Sequence, residues 1–189
     1  VKSCLHGTAE RNPKLTIIYE DLRGEEPEHI VYHEEEGIIG FVRDLNKKAE
    51  VLHDVVYFKG ESEGITVEAA FQYTNEFHEN ILGFCNNIYN AEGGTHITGF
   101  KTIFTTVMNQ YARQLGILKE KDANFTGADV RNGMTAVISI KHPDPRFEGQ
   151  TKTKLDTQDD SRIPANVTGD EIQLLFDNNL ETLKTLISC

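Results

Sequence analysis

Thr95-His96-Ile97-Thr98-Gly99-Phe100-Lys101-Thr102-Ile103-Phe104-Thr105-Thr106-Val107-Met108-Asn109-Gln110-Tyr111-Ala112-Arg113-Gln114-Leu115 is the stretch on which the fold turns. Ile97, Phe100, Ile103, Phe104, Val107, Met108, Tyr111 and Leu115 recur at spacings of three and four, which gathers them on one wide face of a helix. Thr95 is the expected N-cap and Gly116 the expected stop. Helical spacing marks the aromatic and Met residues as core packing rather than a cofactor pocket.

Working outward, both flanks read as strands. Upstream, Ile65, Val67, Ala69, Phe71 and Tyr73 alternate with Thr66, Glu68, Ala70 and Gln72, the period-two pattern of a sheet with one buried face. Residues 55–59 form another strand, turned by Gly60-Glu61-Ser62-Glu63-Gly64, and 81–85 a further one. Downstream, residues 126–129 suggest a short helical turn, and Thr135-Ala136-Val137-Ile138-Ser139-Ile140 a buried strand. That strand must end at His142-Pro143-Asp144-Pro145, because proline lacks the N–H a ladder needs. Residues 14–20 and 29–33 are expected to pair as a hairpin across Arg23-Gly24-Glu25-Glu26-Pro27. Ile38, Ile39, Phe41, Val42 and Leu45 fall on one side of a helix over 37–48. Residues 156–169 are polar and read as a linker. A C-terminal helix follows over 170–187, with Ile172, Leu175, Phe176, Leu180, Leu183 and Ile187 on its apolar side. Without repeats or low-complexity tracts, residues 1–189 read as a single α/β (α+β) domain.

Acidic residues outnumber basic ones 30 to 19, giving a net charge of -11. Proteins that hold DNA unaided usually show a basic face, so this balance argues against an autonomous nucleic-acid binder. No apolar run approaches the ~20 residues needed to span a bilayer. The start, Val1-Lys2-Ser3-Cys4, lacks Met and an apolar signal segment and reads as a fragment boundary or excised end. Cys4, Cys85 and Cys189 are widely separated and odd in number, which suits free thiols in a reducing, cytoplasmic setting. Without a secretion signal, the sequons at Asn124 and Asn166 read as coincidental.

Few constellations carry chemistry. The cluster His33-Glu34-Glu35-Glu36 lacks a spaced second ligand set and reads as solvated charge beside a helix start. His6, His53, His78 and His96 form no HExxH pattern, and neither a nucleophile elbow nor a phosphate loop is present. Gly93-Gly94 before Thr95 would expose backbone N–H groups to an anion, although such a pair more often makes a tight turn and cap. Gly149-Gln150-Thr151-Lys152-Thr153-Lys154 places amide donors and movable charges on a loop, a set suited to a terminal phosphate. From composition alone, an exposed basic turn without a ligand remains the better reading of this loop.

Asn86-Asn87-Ile88, then Glu92-Gly93-Gly94-Thr95-His96 and Gly99-Phe100, resemble the EGGTH-x-x-GF signature of bacterial type II topoisomerase ATPase subunits. Residues 129–139, reading DVRNGMTAVIS, are similar to the same family's DVR-x-G-x-TAVIS strand, and 145–155, PRFEGQTKTKL, to its ATP-sensing loop. Residues 41–61 resemble gyrase B as well, so the likeness runs from about residue 14 to 155 in the family's order. The wording of Asn86-Asn87-Ile88 and EGGTH is closer to gyrase B than to its topoisomerase IV counterpart.

The resemblance implies a transducer domain, with a fold like ribosomal protein S-five domain 2 and a left-handed βαβ crossover, plus the C-terminal helix. It implies a GHKL-type ATPase domain before it and a metal-binding Toprim domain after it, with gyrase A and double-stranded DNA as holoenzyme partners. Gln150 and Lys152 match the residues that reach the ATP γ-phosphate held by the neighbouring domain, with Gly149, Thr151 and Lys154 as the supporting loop. Glu92, Gly93, Gly94, Thr95 and His96 match a structural motif. ATP and Mg would be bound mainly by domains outside this chain, so no cofactor, metal site or catalytic residue is expected here. The implied role is coupling of ATP binding and hydrolysis to clamp closure and strand passage; a topoisomerase IV transducer or a non-enzymatic interaction module with this fold are the alternatives. Two departures stand out. Asp156-Thr157-Gln158-Asp159-Asp160 replaces the family's turn and early helix, and Glu10-Arg11 stands where relatives often have apolar residues.

Overall fold

In the computed structural model every residue is described except 11, 13, 25, 26, 34, 157, 158 and 189, with no side chain described at 3, 10, 159, 160, 161, 164, 182 or 188. The expected features at Glu10-Arg11, Glu25-Glu26, Glu34 and Cys189 therefore fall wholly or partly outside the described residues. The chain runs α1 (Lys2–Glu10), β1 (Thr16–Asp21), β2 (Glu28–His33), α2 (Ile38–Leu45), β3 (Val56–Ser62), β4 (Ile65–Tyr73), β5 (Asn80–Cys85) and β6 (Ile88–Tyr89). It continues through α3 (Thr95–Gln114), α4 (Gly127–Arg131), β7 (Met134–Lys141), α5 (Asp159–Asn178) and α6 (Leu180–Ser188).

The alternating stretch becomes β4, with Val67, Ala69 and Phe71 fully buried. β3 returns into β4 through Glu63 and Gly64, at φ 53° and 79°, the two positive values that a two-residue hairpin turn needs. β4 pairs antiparallel with β7, and β7 pairs parallel with β5, giving the order β3-β4-β7-β5-β6. Parallel neighbours need a crossover, and α3 lies within it. β7 is buried from Met134 to Ile140, as a central strand covered on both faces must be.

The covers differ. On one face Phe71, Ala136 and Ile138 meet α3 and α5 in the main core, where Phe71 and Phe104 pack edge to face at 5.1 Å. On the other face Ala70, Phe84 and Val137 meet Ile38 and Val42 of α2 in a smaller core. A buried polar chain edges that second core: Thr135 Oγ1 donates to Asn46 Oδ1 at 2.7 Å, Asn46 Nδ2 to Gln72 Oε1 at 3.0 Å, and Gln72 Nε2 to the His53 carbonyl at 2.8 Å. Each member finds a partner, which removes the cost of burying it.

Residues 159–169 correct the sequence reading. They are not a linker but the first half of α5, lying against α3 and β3. Ile163, Val167, Ile172 and Phe176 are buried along it. Gly60 lets the helix approach, since a Cβ there would lie 2.5 Å from Val167 Cγ1. Too few apolar residues mark that face for periodicity to show. The single terminal helix also divides: α5 ends at Asn178 and α6 begins at Leu180. Tyr111 ties α5 to α3, its hydroxyl donating to Asp177 Oδ1 at 2.6 Å, and burial with that carboxylate pushes its pKa up to about 12.

Two elements had no sequence signal, the helix α1 and the two-residue strand β6. The β1–β2 hairpin forms as expected, but as a sheet of its own rather than part of the five-stranded one.

Candidate functional site

The candidate loop is built by the strand that precedes it. β7 ends where His142-Pro143-Asp144-Pro145 cannot extend the ladder, and the chain then doubles back on itself. Asp156 N–H donates to the Arg146 carbonyl and Glu148 N–H to the Lys154 carbonyl, both at 3.0 Å, with a bridge between Phe147 and Leu155. At the tip Lys152 N–H donates to the Gly149 carbonyl at 3.1 Å, and Lys152 sits at φ 55°. Gly149, Gln150, Thr151 and Lys152 are all exposed.

This small finger is fastened to the segment entering α3. Glu92 N–H donates to the Thr153 carbonyl at 2.9 Å, Leu155 N–H to Gly93 at 3.3 Å, and Thr95 N–H to Leu155 at 3.1 Å. Asn90 Nδ2 donates to the Lys152 carbonyl at 2.9 Å. Leu155 anchors the base in the main core, 1% exposed. A Cβ on Gly94 would lie 2.7 Å from Leu155 Cβ and 2.8 Å from its carbonyl oxygen, so only glycine admits the finger so close. The glycine pair is thus a turn and a contact surface. The N–H groups of Glu92, Gly93 and Thr95 all bond to backbone carbonyls, so these three are not available to an anion.

Thr95 differs from its expected role. Gly94 is the N-cap and Thr95 the first helical residue, and among the described residues the buried Thr95 hydroxyl has no hydrogen-bond partner. The Thr95 N–H donates to the Leu155 carbonyl, and the helix starts one residue earlier than its side chain predicts. His96 is fully buried, and among the described residues neither ring nitrogen has a partner. It lies against β5, where a Cβ on Gly83 would be 2.4 Å from its Nε2. Burial lowers its pKa to about 4, so the ring is neutral and acts as packing. Glu92 is exposed, with its backbone in the clasp.

The two lysines of the finger are not equivalent. Lys154 pairs with Glu148 at 2.8 Å, and that carboxylate raises its pKa. Lys152 has no carboxylate partner among the described residues; its ammonium lies 5.7 Å from the centre of the Phe147 ring. The Gln150 side chain makes no hydrogen bond among the described residues. The apex therefore offers one uncommitted cation and one uncommitted amide, the chemistry that meets a phosphate. Among the described residues no three His, Cys, Asp or Glu side chains gather to hold a metal ion, and no helix is long and apolar enough to cross a membrane. Sequence reading missed Asn90, which carries no motif and is identified only by what its side chain touches.

The family model for DNA gyrase B matches residues 37–189. The chain belongs to the DNA gyrase B family. It is 47% identical over 176 residues to the B subunit of DNA topoisomerase 4 from Enterococcus faecalis, covering 92% of this chain and 25% of that protein. It is 52% identical over 145 residues to the B subunit of DNA gyrase from the same organism, covering 76% of this chain and 23% of that protein. Among solved structures, the 43K ATPase domain of Thermus thermophilus gyrase B in complex with an aminocoumarin superposes with a TM-score of 0.87 at 28% identity, over 99% of this chain and 50% of that one. The chain thus spans about a quarter of the length of these curated relatives. Within the DNA gyrase B family match lie the finger, its clasp and α3, whereas α1 and the β1–β2 hairpin precede it.

Proposed function

We propose that residues 1–189 act as the transducer of a bacterial DNA gyrase B protein, coupling ATP in a neighbouring ATPase domain to clamp closure and DNA strand passage. The observation that carries this reading is the uncommitted pair Gln150 and Lys152 at the tip of a finger whose base is fixed. A terminal phosphate reaching the tip would gain charge-assisted hydrogen bonds from both side chains, and a diphosphate would not reach them. Because the finger is clasped to the start of α3, a pull at its tip is delivered to α3 and the strands β5 and β7. ATP and Mg would be held mainly by the ATPase domain, with a Toprim domain, gyrase A and double-stranded DNA as the other partners in the cytoplasm. The fragment alone then neither hydrolyses ATP nor cuts DNA.

Lys152→Ala in the full-length protein, assembled into the holoenzyme, tests the reading. ATP-dependent strand passage is expected to fall about 10- to 100-fold, the worth of one charge-assisted hydrogen bond, with thermal stability unchanged. Normal strand passage would remove the claim. A second reading, a topoisomerase IV transducer, is favoured by the longer alignment with that relative, 92% of this chain against 76%. The holoenzyme separates the two: gyrase introduces negative supercoils, and topoisomerase IV mainly decatenates.

A further inference from the structure

Of the ties that hold the finger, three are backbone to backbone and use no side-chain atom. The tie at the tip is different. Asn90 Nδ2 donates to the carbonyl of Lys152 itself, at 2.9 Å, and Asn90 is 1% exposed. Its backbone is fixed at both ends, since Asn90 N–H donates to the Gly83 carbonyl of β5 and Gly93 N–H donates to the Asn90 carbonyl, each at 2.9 Å. Lys152 sits at φ 55°, a conformation that a non-glycine residue adopts only at an energetic cost. An external contact must offset that cost, and at the tip the available one beyond the turn's own Gly149 bond is the Asn90 amide. Among the described residues the Asn90 Oδ1 atom is buried without a partner, so the side chain's hydrogen bonding runs through its donor.

We propose that Asn90 is the positioning residue of the finger: it holds Lys152 in the left-handed turn at the tip and so fixes, relative to β5, the point from which its ammonium and the Gln150 amide can reach a ligand. The inference rests on the reading of the tip as a phosphate sensor. Asn90 touches no nucleotide; it sets the orientation that makes the lysine contact specific to a third phosphate.

Asn90→Asp and Asn90→Ala in the full-length protein, assembled into the holoenzyme, test this, with Lys152→Ala as reference. Asp is nearly isosteric but cannot donate as a carboxylate, which guards against an Ala variant that fails to fold. The readout is affinity for a non-hydrolysable ATP analogue and for ADP, both as Mg salts. Both Asn90 variants are expected to lose about five- to tenfold in analogue affinity, the worth of one hydrogen bond, while ADP affinity stays unchanged. A merely structural role would weaken both nucleotides together, and that outcome overturns the proposal. So does an unchanged analogue-to-ADP ratio when Lys152→Ala lowers it. If Lys152→Ala itself leaves the ratio unchanged, the sensor reading fails first and the role of Asn90 falls with it.

Discussion

The finger at 146–155 and the hairpin β1–β2 make opposite use of backbone hydrogen bonding. The hairpin is regular, with six paired positions from Thr16↔His33 to Asp21↔Glu28, yet it joins no larger sheet. Ile18 and Val31 face each other across it at 62% and 52% exposure. The finger has almost no regular structure, yet its base is buried and three of its backbone bonds reach another segment. Regularity is therefore a poor guide to what is held. A segment is fixed by bonds to a different part of the chain and by an anchor such as Leu155, not by its own ladder.

Breaking the clasp gives the largest expected effect. Gly94→Ala sets a methyl 2.7–2.9 Å from the Cβ, carbonyl oxygen and nitrogen of Leu155, and these atoms cannot move without lifting the finger's base out of the core. A loss of about 3 kcal/mol is expected, seen as a fall of roughly 6–12 °C in Tm. Limited proteolysis should then cut within 146–155 before any other loop. An unchanged Tm would mean that the finger is not seated on Gly94.

His96 sharpens the comparison from the other side of the clasp. Its folded pKa of about 4 lies below the ordinary 6.5 because burial disfavours the charged ring. Between these values the unfolded chain takes up a proton that the folded chain refuses, so stability falls as pH drops through the window. The loss is complete below pH 4 and amounts to about 3 kcal/mol. In His96→Gln this contribution is absent. Denaturant midpoints of the two proteins should converge, or cross, by that amount from pH 7 to pH 4. Parallel curves would show that His96 is not buried as a neutral ring.

Much of this architecture was legible in the residues. The stripe from Ile97 to Leu115, the alternation of 65–73 and the apolar run at 135–140 locate α3, β4 and β7, because burial on one face or two leaves a period in the sequence. What was not legible depends on contacts between distant segments. The stretch 159–169 is helical through packing on α3 and β3, which its own polar composition does not announce. Thr95 fits the local rules for an N-cap, yet the helix begins at Thr95 itself with Gly94 as the cap, where Gly94 packs on Leu155. Gln150 and Lys152 are candidates by resemblance, and the structure adds what composition could not: Glu148 pairs with Lys154, while Lys152 has no carboxylate partner among the described residues. Asn90 was invisible because its function lies 62 residues away in sequence.

The hairpin gives the smallest expected effect and the most direct test of the opening contrast. Ile18 and Val31 form a cross-strand pair whose solvent face carries no packing, while Ile17, Tyr19, Ile30 and Tyr32 on the other face are half-buried on the side where α1 lies. Replacing both Ile18 and Val31 by Thr keeps the branched shape that strands favour and removes only exposed apolar surface. Within this chain the substitution should change stability by no more than about 0.5 kcal/mol, as for other exposed positions. A denaturant midpoint that moves by several times that amount would mean that the pair packs against a surface formed by the chain in solution, for instance in self-association. Midpoints measured at two protein concentrations separate the cases, because only an associating species gains stability with concentration. A small, concentration-independent shift would leave the contrast intact: an ordered ladder contributing little, beside an irregular finger on which the core and the proposed nucleotide contact both depend.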